Sequence, residues 1–245
     1  MIIKQTNLNI VYPKINDYRK KFVLGEEILK DYFLEATILP VPEQVQEDVP
    51  RIMVQSQNGH SVLSIALNVT SFGTNYDEEY SLDWKQCSKY LKERSYSVYG
   101  IVDILTNNNN IFVGLIANVE IDDFAEDGID VIKKSLLVSG DEKFGEIYDL
   151  GMKLTYVYEE RYYVNITIEN IREFDIEQSD AGKSYFGEEK RHSIGVTIDI
   201  NDRYAANHNA TYVSGRDAFN DILNVADKII GEKLITLLRE GTFEL

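Results

Sequence analysis

The sequence predicts an α+β fold of two similar halves, each an antiparallel sheet with a long amphipathic helix packed on one face. Three observations lead there. Between 193 and 200, Ile194, Val196, Ile198 and Ile200 alternate with Ser193, Gly195, Thr197 and Asp199, the period of a half-buried strand. Asn58-Gly59 lies between two apolar runs, a strong local signal for a hairpin. Long helical stripes follow strand-like runs twice, one opening at Ser81 and one at Ser214. The antiparallel hairpins argue against alternating parallel βαβ units.

Taken in order, 7–12 is a short strand before Pro13, and 22–33 suits a short helix that Gly25 weakens. Residues 36–41 read as a strand stopped by Pro40 and Pro42, and 43–50 as a polar loop. The runs 51–57 and 60–72 flank Asn58-Gly59 as hairpin arms, and 73–80 reads as polar. A helix from Ser81 turns Trp84, Cys87, Leu91, Val98, Ile101, Val102 and Leu105 inward. The tract 107–110 is a loop, and 111–121 is a strand containing Gly114.

The acidic connector 122–130 is placed as the boundary between halves 1–122 and 123–245. Residues 129–138 fit either a strand or a short helix. Leu150, Met152, Leu154, Tyr156 and Tyr158 share one face of a strand, and Tyr162, Val164, Ile166 and Ile168 resume the alternation after a turn. The stretch 175–191 reads as a long polar loop, either mobile or ordered only by a partner. In the last helix, Phe219, Ile222, Leu223, Ala226, Ile229, Ile230, Leu234, Leu237 and Leu238 form one stripe, roughly 40 Å long at about 1.5 Å per residue. Ser214 stands at its expected N-cap with Asp217 three residues on, and Gly241 at its stop.

A chain of 245 residues allows one large domain or two smaller ones. No run of eighteen apolar residues occurs and no basic-then-apolar leader opens the sequence, so a cytoplasmic protein with no membrane contact is expected. Cys87 is the one cysteine, which excludes a disulfide framework; among apolar neighbours it reads as a buried, inert thiol. The net charge of −16 opposes nucleic-acid binding and suits either solubility or a partner with a basic surface.

The order of elements resembles a sporadically distributed, uncharacterised family of bacterial proteins of about this length. The likeness rests on the strand ending at Tyr12-Pro13, on the segment from Pro50-Arg51-Ile52-Met53-Val54 through Asn58-Gly59 into a strand and helix, and on 196–200 before the last helix. It implies an association with mobile elements, antiviral defence or toxin–antitoxin systems. A sheet followed by a long helix on an acidic chain is also similar in architecture to SecB-type chaperones.

Searching for chemistry returns no catalytic, cofactor-binding or metal residues. Gly182-Lys183-Ser184 mimics the end of a P-loop, but Glu177 occupies the first glycine position. Counted from Asp123, Gly128 falls at position six of a calcium loop, yet Lys134 stands where a bidentate Glu is required. Glu188 and Lys190, with Asp175 or Asp180, have a nuclease-like spacing but read as loop residues. His60, His192 and His208 are far apart in the chain.

What remains is contact chemistry. Tyr156, Tyr158, Tyr162 and Tyr163 gather at the second hairpin's turn, and Tyr185 and Phe186 lie in the 175–191 stretch. These six are the candidate partner-binding residues, since aromatic side chains offer large area at low entropic cost. The expected function is a non-enzymatic, acidic interaction factor binding a protein partner, with a homo-oligomer as a further possibility. The alternatives are a ligand-binding domain or enzyme using a cleft between the halves, with Asp199 and Asp202 at its rim, and a SecB-like chaperone.

Overall fold

The computed structural model describes residues 1–42, 44–124, 126–137, 147–180 and 182–245. Val138, at the end of the ambiguous 129–138 stretch, and Ala125, inside the calcium-like segment, lie outside the described residues. The nine strands among the described residues join one antiparallel sheet in the order β2-β3-β4-β5-β1-β6-β9-β8-β7. Their bounds are β1 Ile2–Val11, β2 Thr37–Ile38, β3 Ile52–Gln55, β4 Ser61–Ile65, β5 Val69–Asn75, β6 Phe112–Ile121, β7 Gly151–Tyr158, β8 Tyr162–Gln178 and β9 Ser184–Asn201. The helices are α1 Tyr18–Gly25, α2 Glu78–Ser81, α3 Trp84–Thr106, α4 Gly128–Leu136, α5 Arg203–His208, α6 Arg216–Lys228 and α7 Leu234–Glu240.

The sheet is continuous because β1 pairs with β6 along nearly its whole length, Ile2 opposite Glu120 and Val11 opposite Phe112. Two separate sheets, as the sequence suggested, are therefore replaced by one. Alternate residues of each central strand are buried, among them Leu8 and Ile10 in β1, Leu115 and Val119 in β6, and Ile198 and Ile200 in β9. The other face carries Asn9, Ser71, Asn118, Asn165 and Thr197, tied by side-chain hydrogen bonds such as Ser71 to Asn9 at 2.6 Å and Thr197 to Asn118 at 3.0 Å. Helix α3 contacts β1 and β5, and α6 contacts β6 and β9. Asp227 joins the two helices by accepting from Trp84 Nε1 at 3.1 Å, and from Ser88 and Lys92.

The Asn58-Gly59 hairpin forms as the sequence indicates, with Val54 opposite Leu63 and Gly59 at φ +79°. The run 60–72 is not one strand, however. It breaks into β4 and β5 at a turn closed by Ala66 N–H to Val69 O at 2.9 Å, and the polar 73–75 continue β5. Helix replaces the strand alternative at 129–138, capped by Asp127 on the Ile129 N–H. Gly25 belongs at the α1–α3 contact: a Cβ there would lie 2.5 Å from Ile101 Cδ1. The 36–41 strand shrinks to Thr37–Ile38.

The C-terminal stripe is buried as expected, but its helix is interrupted. A π turn at Ile229–Lys233 separates α6 from α7, an insertion that rotates the following residues relative to those before. Ser214 is not the cap. Gly215 takes that position, and the Ser214 hydroxyl donates to buried Asp202 instead.

At the β7–β8 turn, Glu159 and Glu160 both sit in the left-handed region, at φ 52° and 48°. A residue with a Cβ is strained there by roughly 1–2 kcal/mol. Glu160→Gly is expected to raise stability by about 0.5–1 kcal/mol, seen as a higher urea midpoint with unchanged slope; a lower midpoint contradicts this.

Candidate interaction site

Strands β8 and β9 outrun their neighbours. On one side β6 ends at Ile121, opposite Ile194, and on the other β7 begins at Gly151, opposite Glu169. Past Asn170, whose N–H still bonds Leu150 O at 3.3 Å, the strand pairing among the described residues is between β8 and β9 alone, through Ile171 opposite Ser193, Ile176 opposite Phe186 and Gln178 opposite Ser184. The result is a two-stranded arm to whose outer edges no further described strand pairs. The sequence's polar loop at 175–191 is thus corrected to β-structure apart from a tight turn. There Ser179 N–H bonds Lys183 O at 2.9 Å and Gly182 adopts φ +75°. Gly182-Lys183-Ser184 forms this turn and the first residue of β9, with no helix following.

Salt bridges clamp the arm at its base. Arg191 pairs with Glu120, Glu173 at 3.6 Å and Asp122 at 3.7 Å, while Lys4 adds a second contact to Glu120 at 2.7 Å. Arg172 pairs with Asp127 at 2.5 Å and lies under the Tyr148 ring at 5.5 Å. Further out, register shifts between Glu173 and Ile176 mark bulges, which add twist to the ribbon.

The outer arm carries apolar side chains without a core. Ile176 is 72% exposed and Phe186 70%, with Phe174 against Phe186 at 5.2 Å between ring centroids. Tyr185, also exposed, donates to Glu177 at 2.7 Å. Around them stand Glu173, Asp175, Glu177, Asp180, Glu188 and Glu189 against Lys183 and Lys190. Lys190 pairs with Asp175 at 2.5 Å. Of the nuclease-like residues, Asp175, Glu188 and Lys190 are therefore on adjacent strands and Asp180 is in the turn, and among the described residues no group of three metal-ligating side chains forms.

The six expected contact residues do not make one surface. Tyr185 and Phe186 lie on the arm, and the four tyrosines lie at the opposite end of β8, roughly 50 Å away at about 3.4 Å per residue. Tyr162 is fully buried and donates to Asp221 at 2.7 Å, so it leaves the contact set as a core residue. Its alternation with Val164, Ile166 and Ile168 was the available signal. Tyr156 packs on Phe243 and Tyr158 beside Tyr162, whereas Tyr163 faces the other way, edge-on to Tyr204. The sequence reading missed Phe174 and Ile176, which share the arm's apolar cluster.

Asp202 is not at the rim of a cleft. It is fully buried, accepting from Val113 N–H at 2.7 Å, from Tyr212 O–H at 2.7 Å and from Ser214. Burial raises its pKa against the opposing pull of Ser214, Tyr212 and the Val113 N–H. Arg161 donates to Tyr212 at 3.1 Å and to Asp217 at 2.6 Å, extending this network to α6. Asp199 is held by Asn165 and Asn201. His60 lies 3.5 Å from Asp77, His192 lies 3.5 Å from Glu189, and His208 stacks on Tyr204. Cys87 is buried, its thiol pushed up to about 12 first by burial and then by Asp83.

Glu120 gives the arm's base a pH dependence. Burial tends to raise its pKa, but hydrogen bonds from Lys4 and Ser193 and the charges of Lys4 and Arg191 outweigh that and hold it below 4.5. A depressed carboxylate stabilises the fold above its unfolded pKa and loses that contribution as pH falls through the folded value. The stability difference between the native chain and Glu120→Gln is therefore expected to be largest near neutrality and to shrink below about pH 4. Urea midpoints of both from pH 7 to pH 3 check this; a difference that grows in acid contradicts it.

No protein-family model and no curated protein matches the chain. Among solved structures, the di-domain ARO/CYC StfQ from the steffimycin biosynthetic pathway is 7% identical over 96% of each chain, with a TM-score of 0.19. A likeness that slight bears on neither fold nor function. No described helix is long and apolar enough to cross a membrane.

Proposed function

We propose that the protein is an acidic interaction factor that docks the β8–β9 arm onto a protein partner with a basic surface. The observation that carries this reading is the pair Ile176 and Phe186, 72% and 70% exposed on a ribbon outside the core. Large exposed apolar groups rimmed by charge mark interaction sites, and an isolated two-stranded ribbon is marginally stable until something covers it. The acidic fringe selects a basic partner and disfavours a second copy of a chain of net charge −16 or a phosphate backbone.

The sheet order supports reading the fold as one unit used twice. The four strands β1-β5-β4-β3 correspond in order to β6-β9-β8-β7, with the β1–β6 pair between them. Each unit then runs strand, helix, three-strand meander and long helix, with that helix packed on one face. On this reading the boundary moves from 122 to the 107–110 turn, because β6 opens the second unit. The β4–β5 turn closes at 66–68, whereas its counterpart reaches 179–183. The arm is thus an extension present in one copy and unnecessary to the other.

In the toxin–antitoxin or antiviral setting that the sequence resemblance implies, the arm would cover a basic site on its partner. The test is recovery of the tagged protein with its genomic neighbours co-expressed, followed by association rates across salt. One stoichiometric partner is expected, with an association rate falling as screening increases. Flat rates remove the electrostatic part, and capture of many unfolded chains without a defined partner points to the SecB-like alternative.

A further inference from the structure

A second feature lies far from the arm in sequence and is independent of the reading above. A cavity of about 590 Å³ opens beside the start of α1, walled by Lys14, Arg19, Lys20 and Arg51, with Asp17 the one acidic lining residue among the described residues. Four cations around one cavity reverse the sign of a chain that is otherwise strongly acidic.

Arg51 is the unusual member. It is only 2% exposed, and its guanidinium donates to the carbonyls of Val49 at 3.0 Å, Val45 at 3.1 Å and Gln46 at 3.3 Å. Those bonds hold the 45–49 loop but bring no negative charge, and they use three of the five donors that a guanidinium carries. Among the described residues no carboxylate pairs with this guanidinium, and burying a cation without a counter-charge is costly, so an anion reaching this wall meets a preorganised attraction. Lys14 already pairs with Glu47 at 2.8 Å, which leaves Arg19, Lys20 and Arg51 as the principal cations. Asp17 makes no side-chain cap to α1, so the helix adds uncapped N–H donors to the same wall. Ile15, Val41 and Leu67 supply an apolar wall.

We propose that this cavity binds a small phosphate-bearing organic anion of about the size of a nucleoside diphosphate. Arg51, Arg19 and Lys20 face the phosphate oxygens, and the apolar wall takes the organic part. The volume lies within the range of small-ligand pockets, about 300–1,000 Å³, and exceeds the need of inorganic phosphate alone.

The experiment is calorimetric titration of the full chain with ADP and, separately, with pyrophosphate. Both are expected to bind saturably, ADP the more tightly. Arg19→Ala/Lys20→Ala, two exposed positions, is expected to weaken both at least about tenfold while far-UV circular dichroism stays unchanged. Absence of saturable binding by either probe at about 5 mM overturns the site. So does unchanged affinity in a folded double variant. Equal affinity for the two probes overturns the role given to the apolar wall.

Discussion

Ile230→Asp is expected to leave no cooperatively folded protein at 25 °C. Ile230 is 2% exposed within the π turn that contacts α3. Substitution removes about 1.5–3 kcal/mol of apolar burial and introduces a carboxylate where water is excluded, at a further cost of several kcal/mol. Typical domain stability is about 5–15 kcal/mol, so the two losses together reach its scale. The conservative Ile230→Val costs only about 0.5–1.5 kcal/mol and should stay folded. Circular dichroism and urea titration of both variants check the pair; a native-like melt for the aspartate variant contradicts the packing described here.

Ile176→Ser/Phe186→Ser is expected to have the opposite signature: little change in stability and a large loss of partner affinity. Both side chains are mostly exposed in the free protein, so their removal sacrifices little buried area and no core contact. At an interface, large apolar anchors of this kind contribute about 2 kcal/mol or more each, or roughly a thousandfold in affinity for the pair. Tyr156→Ser/Tyr158→Ser, at the other end of the sheet, is the comparison. Equilibrium affinities for the partner, alongside urea midpoints, separate the two effects. Equal affinity for the native chain and the arm variant removes the arm from the interface.

Local signals were legible in the sequence, and distant ones were not. Asn58-Gly59 announced its hairpin because the turn chemistry is contained in two residues. The stripes from Trp84 to Leu105 and from Phe219 to Leu238 showed their buried faces through helical spacing alone. The β4–β5 turn was hidden because Ala66-Leu67-Asn68 contains neither Gly nor Pro. The single sheet depends on β1 meeting β6, more than a hundred residues apart at Ile2 and Glu120, and no local pattern records that pairing. Ser214 misled because its hydroxyl finds Asp202, twelve residues back, instead of the helix.

The candidate site was legible only in part. Tyr185 and Phe186 stood out as aromatic residues in a polar stretch, but bulges between Glu173 and Ile176 break the period of two that identifies a strand. Charged residues on both faces completed the disguise. Four adjacent tyrosines suggested one surface, yet the strand's alternation sends Tyr162 into the core and Tyr163 to the opposite face.

The most direct test of the arm as the docking element is amide hydrogen exchange in the free protein and in the purified complex. Among the described residues no further strand pairs with the arm between 173 and 190, and partner binding is expected to slow exchange there more than elsewhere. Protection confined to other segments, with the arm exchanging as fast as in the free protein, would contradict it.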